Sequence, residues 1–131
     1  MGRPDCPFCR PEPDRVRLGD PFALAFPDRF PVTPGHTLVV PRRHVASLFD
    51  LTGEELAAVW ALVARVRAVL AAELAPDGFT VGLNDGPAAG QTVMHAHVHV
   101  IPRRHGDVAD PRGGVRWVVP DKAAYWAGGR Q

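Results

Sequence analysis

The chain has 131 residues, of which 46% are hydrophobic and 22% charged, and its formal net charge is +1. This composition excludes wholesale disorder and fits one globular domain over residues 1–131. The near-neutral charge argues against an electrostatic nucleic-acid binder, and no apolar run approaches the ~18 residues of a membrane span. No basic start followed by an apolar core marks a signal peptide, so the expectation is a cytoplasmic protein without nucleic acid or membrane as partner. Six histidines and two cysteines are the unusual part of the composition.

Residues 1–20 are rich in Pro, Arg and Asp and read as an extended N-terminal lead-in. They carry Cys6-Pro7-Phe8-Cys9. Two cysteines are too few for a disulfide scaffold. A thioredoxin-like redox pair opens a helix, which the surrounding Pro4, Pro7, Pro11 and Pro13 oppose. The remaining readings are half of a tetrahedral zinc site that lacks two ligands, or two free thiols.

Pro21 to Phe26 is a strand candidate, followed by the turn Pro27-Asp28-Arg29. Pro34-Gly35 marks a second turn, and His36 to Val40 a strand that Pro41 ends. Thr52 and Glu55 form a capping box, the signature of a helix start. Leu56, Val59, Trp60, Val63, Val66, Leu70 and Leu74 then recur at helical steps, which predicts one long amphipathic helix before Pro76-Asp77-Gly78. Its apolar face is expected to pack on a sheet. Phe79 to Leu83 is a further strand, Asn84-Asp85-Gly86-Pro87 a turn, and Val93 to Ile101 a strand stopped by Pro102. Residues 104–131 form a variable C-terminal segment, with a short strand at Trp117 to Val119 and a helical turn at Asp121 to Trp126. One long helix among hairpin-like strands predicts an α+β fold: an antiparallel sheet of about five strands with the helix packed on it.

His95-Ala96-His97-Val98-His99-Val100 is the most informative stretch. In a strand, side chains alternate, so the three histidines share one face and Ala96, Val98 and Val100 the other. Three stacked imidazoles serve either a metal clasp or nucleophilic attack on phosphorus. The preceding loop favours phosphorus. Gly90 permits close backbone approach to a ligand, and Gln91 and Thr92 offer neutral donors.

The run Asn84 to Pro87, Gly90-Gln91-Thr92-Val93, His95 to His99 and Ile101-Pro102-Arg103 resembles the histidine triad (HIT) superfamily. Within it, the likeness is to the fragile histidine triad branch of dinucleoside polyphosphate hydrolases. Gly35 to His44 resembles the family's upstream strand, and Cys6-x-x-Cys9 its zinc-bearing bacterial members. The resemblance implies a HIT-like fold and a hydrolase or transferase acting at the α-phosphate of purine nucleoside 5′-phosphate derivatives. It implies His97 as nucleophile, His99 at the leaving group and His36 as their support. It places Asp28 at the ribose, Phe26 in the base pocket, Gln91 and Thr92 at the phosphate and leaving group, and Asn84 as a polar contact at the rim, beside Gly90. It implies a structural zinc held by Cys6, Cys9, His44 and His95, and a homodimer formed through the long helix and a strand. Diadenosine tetraphosphate-type hydrolysis is the first reading. Adenosine 5′-monophosphoramidase action and a nucleotide-binding module with little turnover are the alternatives. His105, with Arg103 and Arg104, and the stretch Arg112 to Trp117 are candidate basic elements near the site mouth.

Overall fold

The structure, a computed structural model, describes residues 3–128. Five strands form one antiparallel sheet: β1 (Leu18–Gly19), β2 (Ala23–Pro27), β3 (Thr37–Pro41), β4 (Gly78–Gly82) and β5 (Val98–Arg103), in the order β1-β2-β3-β5-β4. Helix α1 (Gly53–Leu74) packs across β2, β3 and β5. This is the α+β architecture that the sequence predicts. The fifth strand, however, is Leu18–Gly19 and not Trp117 to Val119, which lies largely in a 3-10 helix over Gly114–Val118. A short helix α2 (Pro120–Ala123) follows.

The capping box forms as its residues dictate. The Glu55 N–H donates to Thr52 Oγ1 at 3.1 Å, and Glu55 Oε1 accepts from the Thr52 N–H at 2.9 Å. At the other end the Arg104 guanidinium donates to the carbonyls of Leu74 and Ala75, groups that a helix terminus leaves unpaired. Val59, Leu62, Val63, Val66 and Leu70 form the buried stripe of α1. Trp60 departs from expectation: it is 40% exposed, and Leu62, two residues on, takes the core position.

Strand alternation splits the sheet into two buried faces. Ala23, Ala25, Val39, Val98 and Val100 pack with Ala96 beneath α1. Leu24, Phe26, Leu38 and Val40 face the other way, where Phe8 and Val16 of the N-terminal segment cover them. The expected strand from Val93 is shorter, because ladder pairing begins at Val98, opposite Val39. Two residues earlier the chain reaches the level of Pro41, which has no N–H to donate. The Ala96 N–H turns instead to the Val45 carbonyl at 2.8 Å.

Candidate active site

The second face carries the histidines. His95 lies in a bend and Ala96 and His97 precede β5 outside the ladder, yet the alternation predicted for the triad is kept: Ala96 and Val98 enter the helix-side core while the His97 and His99 imidazoles pack together on the other face. The His97 and His99 rings lie 5.2 Å apart, as do those of His36 and His99. A cleft of about 610 Å³ opens over them. Of the residues expected to meet a nucleotide, Phe26, Asp28, His36, Asn84, Gly90, Thr92, His97 and His99 line it.

Hydrogen bonds assign the imidazole tautomers. His97 Nδ1 lies 2.8 Å from the carbonyl oxygen of His95. A carbonyl only accepts, so Nδ1 carries the proton and Nε2 keeps a free lone pair. A second chain runs through His36 and His99. The Val32 N–H donates to His36 Nδ1 at 3.1 Å, so the proton of His36 sits on Nε2. His36 Nε2 in turn lies 2.9 Å from His99 Nδ1, which places the proton of His99 on Nε2. The β3–β5 register creates this contact. Leu38 opposes His99, and His36, two residues before Leu38, is the diagonal neighbour on the same face. Burial lowers the pKa of His36, against the pull of Asp28. Burial, with His97 and His36 adding to it, lowers that of His99 to about 4. Both rings are therefore neutral at pH 7.

Asp28, His36 and His99 bring their ligand atoms within 4.8 Å of one another, the donor set of a facial metal triad. The tautomers oppose that use. With Nδ1 of His36 accepting from Val32, its Nε2 is protonated and has no lone pair for a metal. Asp28 instead accepts from the Phe30 N–H at 2.8 Å, and its second oxygen lies 3.4 Å from His36 Nε2.

Gln91 departs from expectation. It is buried, its Oε1 accepts from the Gly86 N–H at 2.8 Å, and its Nε2 donates to the carbonyls of Ala46 at 2.8 Å and Val93 at 3.0 Å. All three partners are backbone groups, and Gln91 does not line the cleft. Its amide braces the loop that presents Asn84, Gly90 and Thr92. His105 and Arg112 to Trp117 are likewise absent from the cleft wall. The His105 N–H binds Asp77 Oδ2 at 2.8 Å, and Arg103 pairs with Asp107. Arg112 and Arg116 stack on Trp126 and Tyr125.

Cys6, Cys9, His44 and His95 converge beside the triad, all four ligand atoms lying within 4.8 Å of one another. Cys9 Sγ is 3.1 Å from His44 Nδ1 and 3.5 Å from His95 Nδ1. Cys6 Sγ is 3.5 Å from His95 Nδ1, and the two Nδ1 atoms are 3.2 Å apart. A tetrahedron built on ordinary zinc–sulfur and zinc–nitrogen bonds has edges of roughly 3.3–3.6 Å between such atoms, so the set fits that ion. His95 Nε2 donates to the Pro41 carbonyl at 2.8 Å, which leaves its Nδ1 lone pair for the cluster. Burial raises the Cys6 thiol above its ordinary value, a cost that a bound cation reverses by stabilising the thiolate.

The N-terminal segment also supplies a wall of the cleft through Pro7, Phe8, Arg10, Pro11, Glu12 and Arg15. From its sequence this stretch reads only as an extended lead-in. The one available signal is the Cys6-x-x-Cys9 pair, which, once joined to His95, brings Phe8 near the triad without fixing where its ring points.

A sheet with a histidine-lined cleft on one face and a long helix on the other, beside a four-ligand Cys2His2 cluster, defines the class. The family model for the HIT domain matches residues 10–106, and the chain belongs to that family. An uncharacterised HIT-like protein of Mycobacterium tuberculosis is 45% identical over 107 residues, covering 78% of this chain and 74% of that one. A bis(5′-nucleosyl)-tetraphosphatase (asymmetrical) of Schizosaccharomyces pombe is 42% identical over 89 residues, covering 68% of this chain and 49% of that one. A zinc-bound histidine triad family protein of Mycobacterium smegmatis has a similar structure, with TM-score 0.72 and 37% identity over 81% of this chain and 80% of that one. The chain spans about half the length, or less, of several curated relatives that it matches.

Proposed function

We propose that this protein is a nucleotide hydrolase or transferase that cleaves at the α-phosphate of purine nucleoside 5′-phosphate derivatives, with a dinucleoside polyphosphate as its substrate. The observation that carries this reading is the tautomer of His97, whose Nδ1–H is fixed by the His95 carbonyl and whose Nε2 is an available nucleophile. The Nε2–phosphorus bond forms as the bond from phosphorus to the leaving oxygen breaks, and the electron pair departs with that oxygen. The Nε2–H of His99 donates a hydrogen bond to the developing charge. Thr92 and Asn84 offer further neutral donors along the phosphates, and Asp28 accepts from the ribose hydroxyls. Water then attacks the nucleotidyl-histidine and restores His97.

With a pKa of about 4, His99 is neutral at pH 7 and gives a hydrogen bond more readily than a proton. That suits a polyphosphate, which leaves without protonation. The relatives named as a bis(5′-nucleosyl)-tetraphosphatase and a bis(5′-adenosyl)-triphosphatase support the same reading. One observation favours a phosphoramidase instead. The arginines lining the cleft are Arg10, Arg15 and Arg29, while the lip of Asn84, Gly90, Thr92 and Val93 brings no Lys or Arg to receive a polyphosphate tail.

In this reading Cys6, Cys9, His44 and His95 hold one structural zinc per chain. A closed four-ligand set leaves no position for substrate, so the ion would supply rigidity to the N-terminal wall and to His95. The protein acts in the cytoplasm as a homodimer. Edge strand β4 and the exposed Trp60 of α1 support that assembly.

The test is a panel of diadenosine polyphosphates, adenosine phosphoramidate and nucleotide sugars compared by kcat/KM. A diadenosine polyphosphate leading the panel supports the reading, and phosphoramidate leading reverses the order of the two. Tight binding without turnover of any of them makes the protein a nucleotide-binding module.

A further inference from the structure

Phe8 stands between the two cysteines of the metal cluster, yet its side chain leaves that cluster. It forms an edge-to-face contact with the His97 imidazole, ring centroids 4.9 Å apart at 72°, and a looser one with His95 at 6.1 Å. Its other neighbour is Phe26, at 5.6 Å. His97 is thus held twice: by a carbonyl on Nδ1 and by an aromatic ring against its imidazole. Both holds lead back to the same four ligands. The carbonyl belongs to His95, and Phe8 adjoins Cys9 directly and Cys6 through Pro7. Besides the ligands, Phe8 packs on the cluster of Leu24, Phe26, Leu38 and Val40, while the hydrogen bonds around the knuckle are short-range: the Cys6 N–H donates to the Arg3 carbonyl, and the Arg3 N–H to Cys9 Sγ at 3.2 Å.

We infer that Phe8 is a positioning residue for His97 and makes the aim of the nucleophile depend on the metal-anchored Cys6–Cys9 knuckle. The inference rests on His97 being the nucleophile and deepens that reading. It goes beyond a cleft wall, and the two roles separate experimentally. A wall that packs on the base affects binding, and differently for a purine and a pyrimidine. A ring that aims His97 affects the covalent step equally for both bases. Edge-to-face aromatic pairs contribute enough to orient a ring, and misaim of a reacting atom lowers rate steeply.

The experiment compares zinc-loaded wild type, Phe8→Leu and Phe8→Tyr. Leucine keeps apolar packing on Phe26 and removes the ring face, and tyrosine keeps the ring. Single-turnover transfer from diadenosine and diuridine tetraphosphates is measured, together with AMP and UMP affinity. Proton resonances of the His97 ring are followed before and after chelation of zinc from wild type. The expected result is an about tenfold slower transfer for Phe8→Leu, the same for both bases, with affinities within about threefold and with rescue by Phe8→Tyr. Chelation should move the His97 resonances of wild type to the positions they hold in Phe8→Leu. A loss confined to affinity, or restricted to the purine, overturns the inference, as do His97 resonances that ignore chelation. If wild type transfers no nucleotidyl group from either substrate, the functional reading fails, while the resonances still decide whether the knuckle holds His97.

Discussion

The carbonyl oxygen of His95 lies 2.8 Å from Nδ1 of His97. One residue therefore faces two ways. Its side chain joins the Cys2His2 cluster, and its backbone fixes the tautomer of the neighbouring imidazole. Replacing His97 by Gln should remove the nucleophile and leave the fold intact, because no other side chain hydrogen-bonds to it among the described residues. Turnover should fall about 1000-fold or more, with nucleotide affinity within about threefold of wild type. Isothermal titration and steady-state kinetics on the same preparation check this. Comparable turnover in His97→Gln would contradict it.

Gln91 should behave as a loop brace. Gln91→Ala leaves the Gly86 N–H and the Ala46 and Val93 carbonyls without their partner in a buried position. The expected cost is about 2–4 kcal/mol in denaturant unfolding. Gln91→Glu should also destabilise, since a carboxylate cannot donate to the two carbonyls. Unchanged stability with a raised KM would return Gln91 to the phosphates.

The triad is legible in the sequence because strand alternation puts every second residue on one face, and the capping box because its two partners are three residues apart. The Val32–His36–His99 chain is not legible in that way, since it depends on the β3–β5 register. Gln91 misleads because a donor-rich loop residue reads the same whether its amide points outward to a ligand or inward to the backbone. Trp60 misleads because a helical stripe is wide enough to admit either of two nearby large side chains, and only packing shows that Leu62 is the buried one. The wall formed by Phe8 and its neighbours hides in a proline-rich segment with no periodicity.

Metal analysis should find one zinc per chain, lost from the double variant Cys6→Ser/Cys9→Ser and retained in His97→Gln and His99→Asn. The closed donor set predicts a lower melting temperature on chelation. A zinc that survives loss of both cysteines and disappears with His97 and His99 would relocate the metal to the triad.

Acid should destabilise the protein through His99. Its folded-state pKa of about 4 lies below the ordinary histidine value of 6.5, so the folded chain binds fewer protons than the unfolded one between these values. Stability is full above about pH 6.5, falls as the pH drops, and this contribution is lost by about pH 4. The lowered pKa of His36 acts in the same direction. In His99→Asn the slope of unfolding free energy against pH should be shallower over this window. An identical slope in both proteins would contradict the assignment.

In the proposed reaction, turnover rests on a covalent bond between His97 Nε2 and the α-phosphorus. Wild type and His99→Asn are mixed with a dinucleoside polyphosphate, quenched in base, digested and sequenced by mass spectrometry. A nucleotidyl group should appear on His97 of the wild type. Hydrolysis of the substrate with no adduct on any histidine, or with the adduct on a residue other than His97, would contradict it.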